Sequence, residues 1–140
     1  MTSFSATIDI DARAEHVWEV FQDIERWPEW NPTVTSLERL DTGPLTVGSR
    51  ARIRQPKLRP AVWQVTELDA NGRSFTWSTR SPAVQVTGGH RVETTGAGSR
   101  VTLSIEFSGL LAPLVSRLTG GLTQQYITSE AKSLKRRSES

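Results

Sequence analysis

The residues of this chain suited to chemistry are few: two histidines, one tyrosine, five tryptophans and no cysteine. Thiol catalysis, disulfides and thiolate metal sites are therefore excluded. His90 is the leading candidate for acid–base work, because a histidine turned into a cavity can donate, accept or shuttle a proton near neutral pH. The plainer reading is a packed histidine whose nitrogens are satisfied by their neighbours. His16 falls among charged residues on the first helical segment and is expected to face solvent. Two distant histidines without arranged carboxylates give no metal signal. Tyr126 offers an apolar body with a polar tip. Gln55, an amide beside Pro56, either orients a ligand or bonds loop backbone at a rim. Trp63 and Trp77 either stack on an aromatic ligand or fill the core, where each aromatic ring buries about 150–250 Å².

Hydrophobic periodicity supplies the elements that must position these side chains. Phe4, Ala6, Ile8 and Ile10 alternate with polar residues, which predicts a strand with one buried face. Asp11 is placed to cap a short helix whose apolar face is Val17, Val20, Phe21 and Ile24. Pro28 and Pro32 bound a second short helix or turn, in which Trp27 and Trp30 are expected to lock the helices together. From Thr33 onward, turn signals at Gly43-Pro44, Val47-Gly48, Gln55–Pro60, Asp69–Gly72, Ser81-Pro82 and Gly96–Gly98 separate runs rich in Val, Thr, Ile, Phe and Trp. Their spacing argues for an antiparallel meander over βαβ units. After Gly109, Leu111, Leu114, Leu118, Leu122 and Tyr126 recur at helical spacing, and Leu134 extends the stripe. A helix over about residues 111–136 would run roughly 40 Å. Gly120-Gly121 within it predicts a kink or a close approach by a packed neighbour.

Alternation also assigns faces. Arg50, Arg52 and Arg54 should face water as a basic row, with Ala51 and Ile53 behind them and Gln55 in the inward phase. Trp63 and Val65 share a face, as do Phe75, Trp77 and Thr79. In the last hairpin, Val84, Val86, Gly88, His90 and Val92 match Val101, Leu103, Ile105 and Phe107, which puts His90 close to Leu103 and Ile105. Glu93 and Glu106 then point away from His90, which weakens a His–carboxylate dyad there. A strand, two short helices, six more strands and one long helix pose a two-layer packing problem: a bent sheet around one helix leaves space for a small ligand.

Composition bounds the function. The chain has 140 residues, 36% hydrophobic and 23% charged, with a net charge of +2, and is read as one domain over 1–140. No basic tract precedes the last few residues, which argues against nucleic acid. No stretch approaches the roughly 18 apolar residues of a membrane span, and charges interrupt the first twenty residues, so neither stable membrane insertion nor a signal peptide is expected. A cytoplasmic protein is the expectation.

Several motifs are familiar. Ile8-Asp9-Ile10, Val17-Trp18 and Trp27-Pro28-Glu29-Trp30-Asn31-Pro32 resemble the SRPBCC superfamily, as do Trp63-Gln64-Val65-Thr66-Glu67, Phe75-Thr76-Trp77 and His90-Arg91-Val92-Glu93. That superfamily includes START-like lipid-transfer domains, pollen-allergen-like proteins and polyketide cyclases. The resemblance runs in order along nearly the whole chain, and is similar in particular to small bacterial members labelled polyketide cyclase or dehydrase. It implies an α+β helix-grip fold: a curved seven-stranded antiparallel sheet and two short helices wrapped around a long C-terminal helix. It carries over no catalytic residue one by one, because the superfamily mixes binders, transporters and enzymes. The expected function is carriage or sequestration of a small hydrophobic ligand such as a lipid, polyketide or aromatic metabolite, without a cofactor, by a monomer or homodimer. The expected ligand contacts are Ile53, Gln55, Trp63, Trp77, His90 and Phe107 from the sheet, with Leu118, Leu122 and Tyr126 from the long helix. The alternatives are a cyclase/aromatase- or dehydratase-type enzyme using His90 or Tyr126 as acid or base, and a domain with a filled interior that works through protein contacts.

Overall fold

The computed structural model describes residues 2–140. The chain runs β1 (Thr2–Ile10), α1 (Ala14–Gln22), a single 3₁₀ turn at Ile24–Arg26, α2 (Trp27–Trp30), β2 (Ser36–Arg39) and β3 (Arg50–Arg54). It continues through β4 (Ala61–Asp69), β5 (Ser74–Ser81), β6 (Val84–Thr95) and β7 (Gly98–Ser108) to α3 (Ala112–Glu139). The seven strands form one antiparallel sheet in the order β1-β7-β6-β5-β4-β3-β2. Five sequential antiparallel pairs from β2 to β7 and one closing strand, β1 beside β7, account for that order, and it is the α+β arrangement with two short helices and one long C-terminal helix.

Side-chain alternation sets the register. Along β6 and β7, His90 pairs with Leu103, Val92 with Val101 and Val86 with Phe107. A one-residue slip would turn the whole apolar set outward, so the matched faces hold the pairing. On β3, Ala51 and Ile53 are buried while Arg50, Arg52 and Arg54 are exposed, and Arg52 pairs with Glu38 across the strand at 2.9 Å. In β4 the register slips between Val65 and Glu67. The extra residue, Thr66, makes a bulge that bends the strand and adds to the curl of the sheet.

The helices differ from the expectations in two respects. Asp11 does not cap α1: the helix starts at Ala14 after Arg13, without a side-chain cap. The Asp11 backbone N–H instead donates to the Glu139 carboxylate at 2.8 Å, so the segment is tied to the far end of α3 rather than to the helix that follows it. The second difference is in α3. Leu122 and Tyr126 face inward, but Leu111, Leu114 and Leu118 are exposed, Leu118 by 74%. A four-residue step advances about 40° beyond a full helical turn, so a stripe spaced by fours slides around the cylinder. The inward face of the first half is Val115, Thr119 and Thr123 instead.

The helix is continuous through Gly120-Gly121. A Cβ at Gly120 would meet the Phe4 ring at 3.1 Å, whereas one at Gly121 meets nothing within 4 Å. Close approach of β1, not a kink, explains the first glycine. At its start, Gly109 has φ +110, and a Cβ there would lie 2.4 Å from the Ala83 carbonyl oxygen. Only glycine permits that exit from β7.

The second half of α3 is anchored by Ile127, Ala131 and Leu134, buried in one cluster with Val17 and Phe21 of α1 and Val101 and Leu103 of β7. Truncating the fully buried Leu134 to Ala should cost about 2–5 kcal/mol in urea unfolding. Gly121→Ala should stabilise by up to about 1 kcal/mol, since it adds helix propensity without a clash.

Candidate functional site

Between the concave face of the sheet and α3 lies a cavity of about 290 Å³. Side chains leave this space open, which counts against the side-chain-filled interior. Trp63 from β4 and Trp77 from β5 form part of its floor, their ring centroids 5.7 Å apart. Ile53 of β3 and Leu103 and Phe107 of β7 continue the apolar wall. Leu122, Tyr126 and Ile127 cover it from α3, and Leu58 and Arg59 border it from the β3–β4 connection. The expected residues Ile53, Gln55, Trp63, Trp77, His90, Phe107, Leu122 and Tyr126 are thus brought together around one space. Leu118 is not among them: it stands on the outer flank of α3 for the geometric reason given above. The Tyr126 hydroxyl donates to the Pro56 carbonyl, which ties the helix to the β3–β4 connection beside Gln55.

His90 sits in an aromatic cage. Its ring stacks on Phe75 with centroids 4.0 Å apart and meets Phe21 and Trp77 edge-on at 5.2 and 5.6 Å. Nδ1 lies 3.1 Å from the Phe75 carbonyl oxygen. A carbonyl can only accept, so Nδ1 carries the proton and Nε2 keeps its lone pair. Burial in this apolar cage lowers the His90 pKa from 6.5 to about 4, against the weaker opposing effect of the Phe75 bond. The side chain is therefore a neutral acceptor at physiological pH.

A carboxyl group does reach this cavity, from an element that strand alternation did not consider. Glu130 of α3 lines the same space. Burial raises its pKa from 4.5 to about 7, partly opposed by the hydrogen bond that Asn31 Nδ2 donates to Oε1 at 3.1 Å. Asn31 is itself fully buried, and its Oδ1 accepts from the Thr33 backbone N–H at 3.0 Å and the Thr33 hydroxyl at 2.7 Å. The proline-bounded corner therefore does more than lock helices: it aims Asn31 at Glu130, 99 residues away. Trp27 is likewise part of the cavity wall while its Nε1 donates to the Phe21 carbonyl at 2.8 Å. The signal for Glu130 lay in the sequence, as a lone acid in phase with Leu122, Tyr126 and Leu134 at four-residue spacing.

The site thus holds a proton donor and a proton acceptor, both neutral near pH 6, within mostly apolar walls. Such an arrangement can satisfy one or two polar groups of an otherwise lipophilic molecule, or pass a proton to and from it. Among the described residues, no three His, Asp or Glu side chains form a metal-ligand group, and no helix is long and apolar enough to cross a membrane.

Comparison with known proteins agrees with this architecture. The family model described as polyketide cyclase / dehydrase and lipid transport matches residues 1–139. No curated protein matches the chain. Among solved structures, the ZhuI aromatase/cyclase from Streptomyces sp. R1128 aligns with TM-score 0.80 and 18% identity, covering 99% of this chain and 93% of that one. Ginseng major latex-like protein 151 from Panax ginseng aligns with TM-score 0.78 and 15% identity, over 97% and 96% of the two chains. Norcoclaurine synthase from Thalictrum flavum, solved with dopamine and hydroxybenzaldehyde, gives 0.76 and 16%, over 97% and 85%. At these identities the likeness is one of fold.

The buried His90 and the partly buried Glu130 predict an unusual pH response. Glu130 takes up a proton on folding between pH 4.5 and about 7, so its contribution to stability falls as pH rises through that range. His90 sheds one on folding between pH 6.5 and about 4, so its contribution is full above 6.5 and is lost as pH falls toward 4. Each window is worth up to about 3 kcal/mol, and where they overlap the slopes oppose each other. Urea denaturation should find wild-type stability nearly flat in these two terms from pH 4.5 to 6.5. Glu130→Gln should expose a loss on acidification over this range, and His90→Phe the opposite, a gain on acidification.

Proposed function

We propose that this chain, which belongs to the polyketide cyclase / dehydrase and lipid transport family, binds one small hydrophobic molecule carrying one or two polar groups and carries or sequesters it in the cavity beneath α3. The observation that carries this reading is the concave space itself, walled by Trp63, Trp77, Leu103 and Phe107, with His90 and Glu130 set among smaller polar side chains such as Thr33, Thr79 and Ser104. Apolar area supplies the affinity and the polar groups set the orientation. A volume of about 290 Å³ is at the small end of the roughly 300–1,000 Å³ typical of ligand pockets. It suits a compact aromatic or polyketide-like metabolite or a single short chain better than a two-chain lipid.

A second reading is favoured by one specific feature, the pairing of Glu130 as acid with His90 as base in the same space. Under that reading the protein is a cyclase- or dehydratase-type enzyme, in which Glu130 protonates a departing or enolising oxygen and His90 Nε2 takes a proton from carbon. Tyr126 is less suited to this work, because its hydroxyl is committed to the Pro56 carbonyl and burial raises its pKa above the ordinary 10.0.

Gently purified protein, extracted with organic solvent and analysed by mass spectrometry beside a sample denatured before purification, should yield one enriched lipophilic species. Leu122→Trp should fill the cavity and reduce retention of that species, or of a fluorescent apolar probe, by at least about tenfold while the fold is kept. Retention unchanged in Leu122→Trp would place the ligand elsewhere and end the cavity reading. Glu130→Gln separates the two functions: a carrier changes only in affinity, whereas an enzyme loses turnover with affinity largely intact.

A further inference from the structure

The N-terminal half of α3 carries an apolar ridge that the cavity does not use. Leu110, Leu114 and Leu118 are 91%, 52% and 74% exposed, and Leu111 is half-exposed beside them. Taking 100° per residue, Leu111, Leu114 and Leu118 share one flank, roughly 100° around the helix from the cavity-facing Val115, Thr119 and Thr123. The opposite flank is occupied: Ala112 and Ser116 are buried, Gly120 abuts Phe4, and the Gln124 amide donates to the Ser5 carbonyl of β1 at 3.2 Å. The leucines therefore lie on the side of α3 turned away from β1. Leu58 of the β3–β4 connection, which Tyr126 ties to α3, also lines the cavity and is itself exposed. Exposed leucines are thus found both on this flank of α3, next to the cavity-lining Leu122, and at the cavity's border on the β3–β4 connection.

The charges at this rim have one sign. Lys57 and Arg59 flank Leu58, and the exposed Arg117 lies between Leu114 and Leu118. No Asp or Glu occurs in residues 42–66 or in residues 107–129, the segments that build the rim.

We propose that this rim is a membrane-docking surface: Leu110, Leu114, Leu118 and Leu58 enter the outer layer of an anionic phospholipid bilayer while Lys57 and Arg117 meet its headgroups. Protruding leucines with interspersed bases and no acids match the hydrocarbon and the negative surface that a bilayer presents together. A protein partner is a poorer match, because interface cores are enriched in aromatic side chains and this ridge holds none. The docking is peripheral and does not depend on what the cavity holds. Its consequence is that the opening faces the bilayer, so a lipophile could pass between membrane and cavity without crossing water.

Flotation with vesicles of phosphatidylcholine, with and without phosphatidylglycerol, tests it on the intact protein. Binding is expected to the phosphatidylglycerol vesicles and to weaken with salt. Leu114→Glu/Leu118→Glu should reduce it by about tenfold or more, given the apolar area withdrawn from the bilayer, with the thermal unfolding curve unchanged because both side chains are exposed. Lys57→Glu/Arg117→Glu should remove the preference for anionic vesicles. Absence of wild-type binding, or undiminished binding by the leucine variant, would overturn the proposal. So would light scattering that shows a wild-type dimer made monomeric by the leucine substitutions, which would make the ridge a contact between copies, or vesicle binding replaced by a stoichiometric acidic protein partner.

Discussion

One helix cannot cover a seven-stranded sheet. Strands lie about 4.8 Å apart, so the sheet is close to 30 Å wide, while a helix with its side chains is about 10–12 Å across. The protein meets this mismatch by laying α3 along one side, over β1 and β7, and curling the remaining strands toward it. Gly120 against Phe4 and Gln124 on Ser5 fix the helix to β1. The bulge at Thr66 bends the far side of the sheet. On the far side of the cavity, Tyr126 of α3 bridges to the β3–β4 connection through the Pro56 carbonyl. The cavity is what geometry leaves over, and side chains on β3–β7 are too few and too well held in register to fill it.

That origin explains the chemistry of the site. An apolar cavity under a helix is a poor place for charge, and the two ionisable groups set deepest against it, His90 and Glu130, are both biased toward their neutral forms, while Arg59 lies at the exposed border. His90 is pushed toward the neutral base by its aromatic cage, and Glu130 toward the neutral acid by burial. Their opposite shifts leave a neutral hydrogen-bond acceptor in His90 and, when Glu130 is protonated, a neutral donor. A site of this kind tolerates a lipophilic molecule without the cost of an uncompensated buried ion. It also has the separated proton affinities that acid–base chemistry requires. The proposed carriage and the alternative catalysis would therefore draw on the same two residues, and the difference between them would rest on what occupies the space they share.

The parts of this arrangement legible in the sequence were those governed by a strict two-residue period. The pairing of His90 with Leu103, the outward arginines of β3 and the shared face of Trp63 and Val65 follow from alternation, because a sheet face allows no intermediate phase. The helix was harder to read. A spacing of four drifts around the cylinder, so Leu118 and Leu122 look equivalent in sequence and are separated by solvent and cavity in the fold. Glu130 was hidden for a related reason. A single acid in a helix ordinarily faces water, and only its partnership with Asn31 across 99 residues makes it an interior group. Asp11 looked like a helix cap, but its backbone N–H was claimed by Glu139 from the other end of the chain. Long-range polar contacts of this kind leave no local period.

The two halves of α3 consequently answer to different constraints. From Ile127 onward the helix is core, with Ile127, Ala131 and Leu134 packed into the sheet and α1, so substitution there is felt as stability. Before Leu122, one flank rests on β1, one face roofs the cavity, and the third projects leucines into solvent, where they contribute little to folding. Burying them elsewhere in the fold would require only a rotation of the stripe by a residue, yet the register imposed by Gly120 on Phe4 and Gln124 on Ser5 holds them outward. The same contacts that open the cavity therefore also fix the apolar ridge at its mouth, so the position of the opening and the position of the exposed leucines are one structural decision.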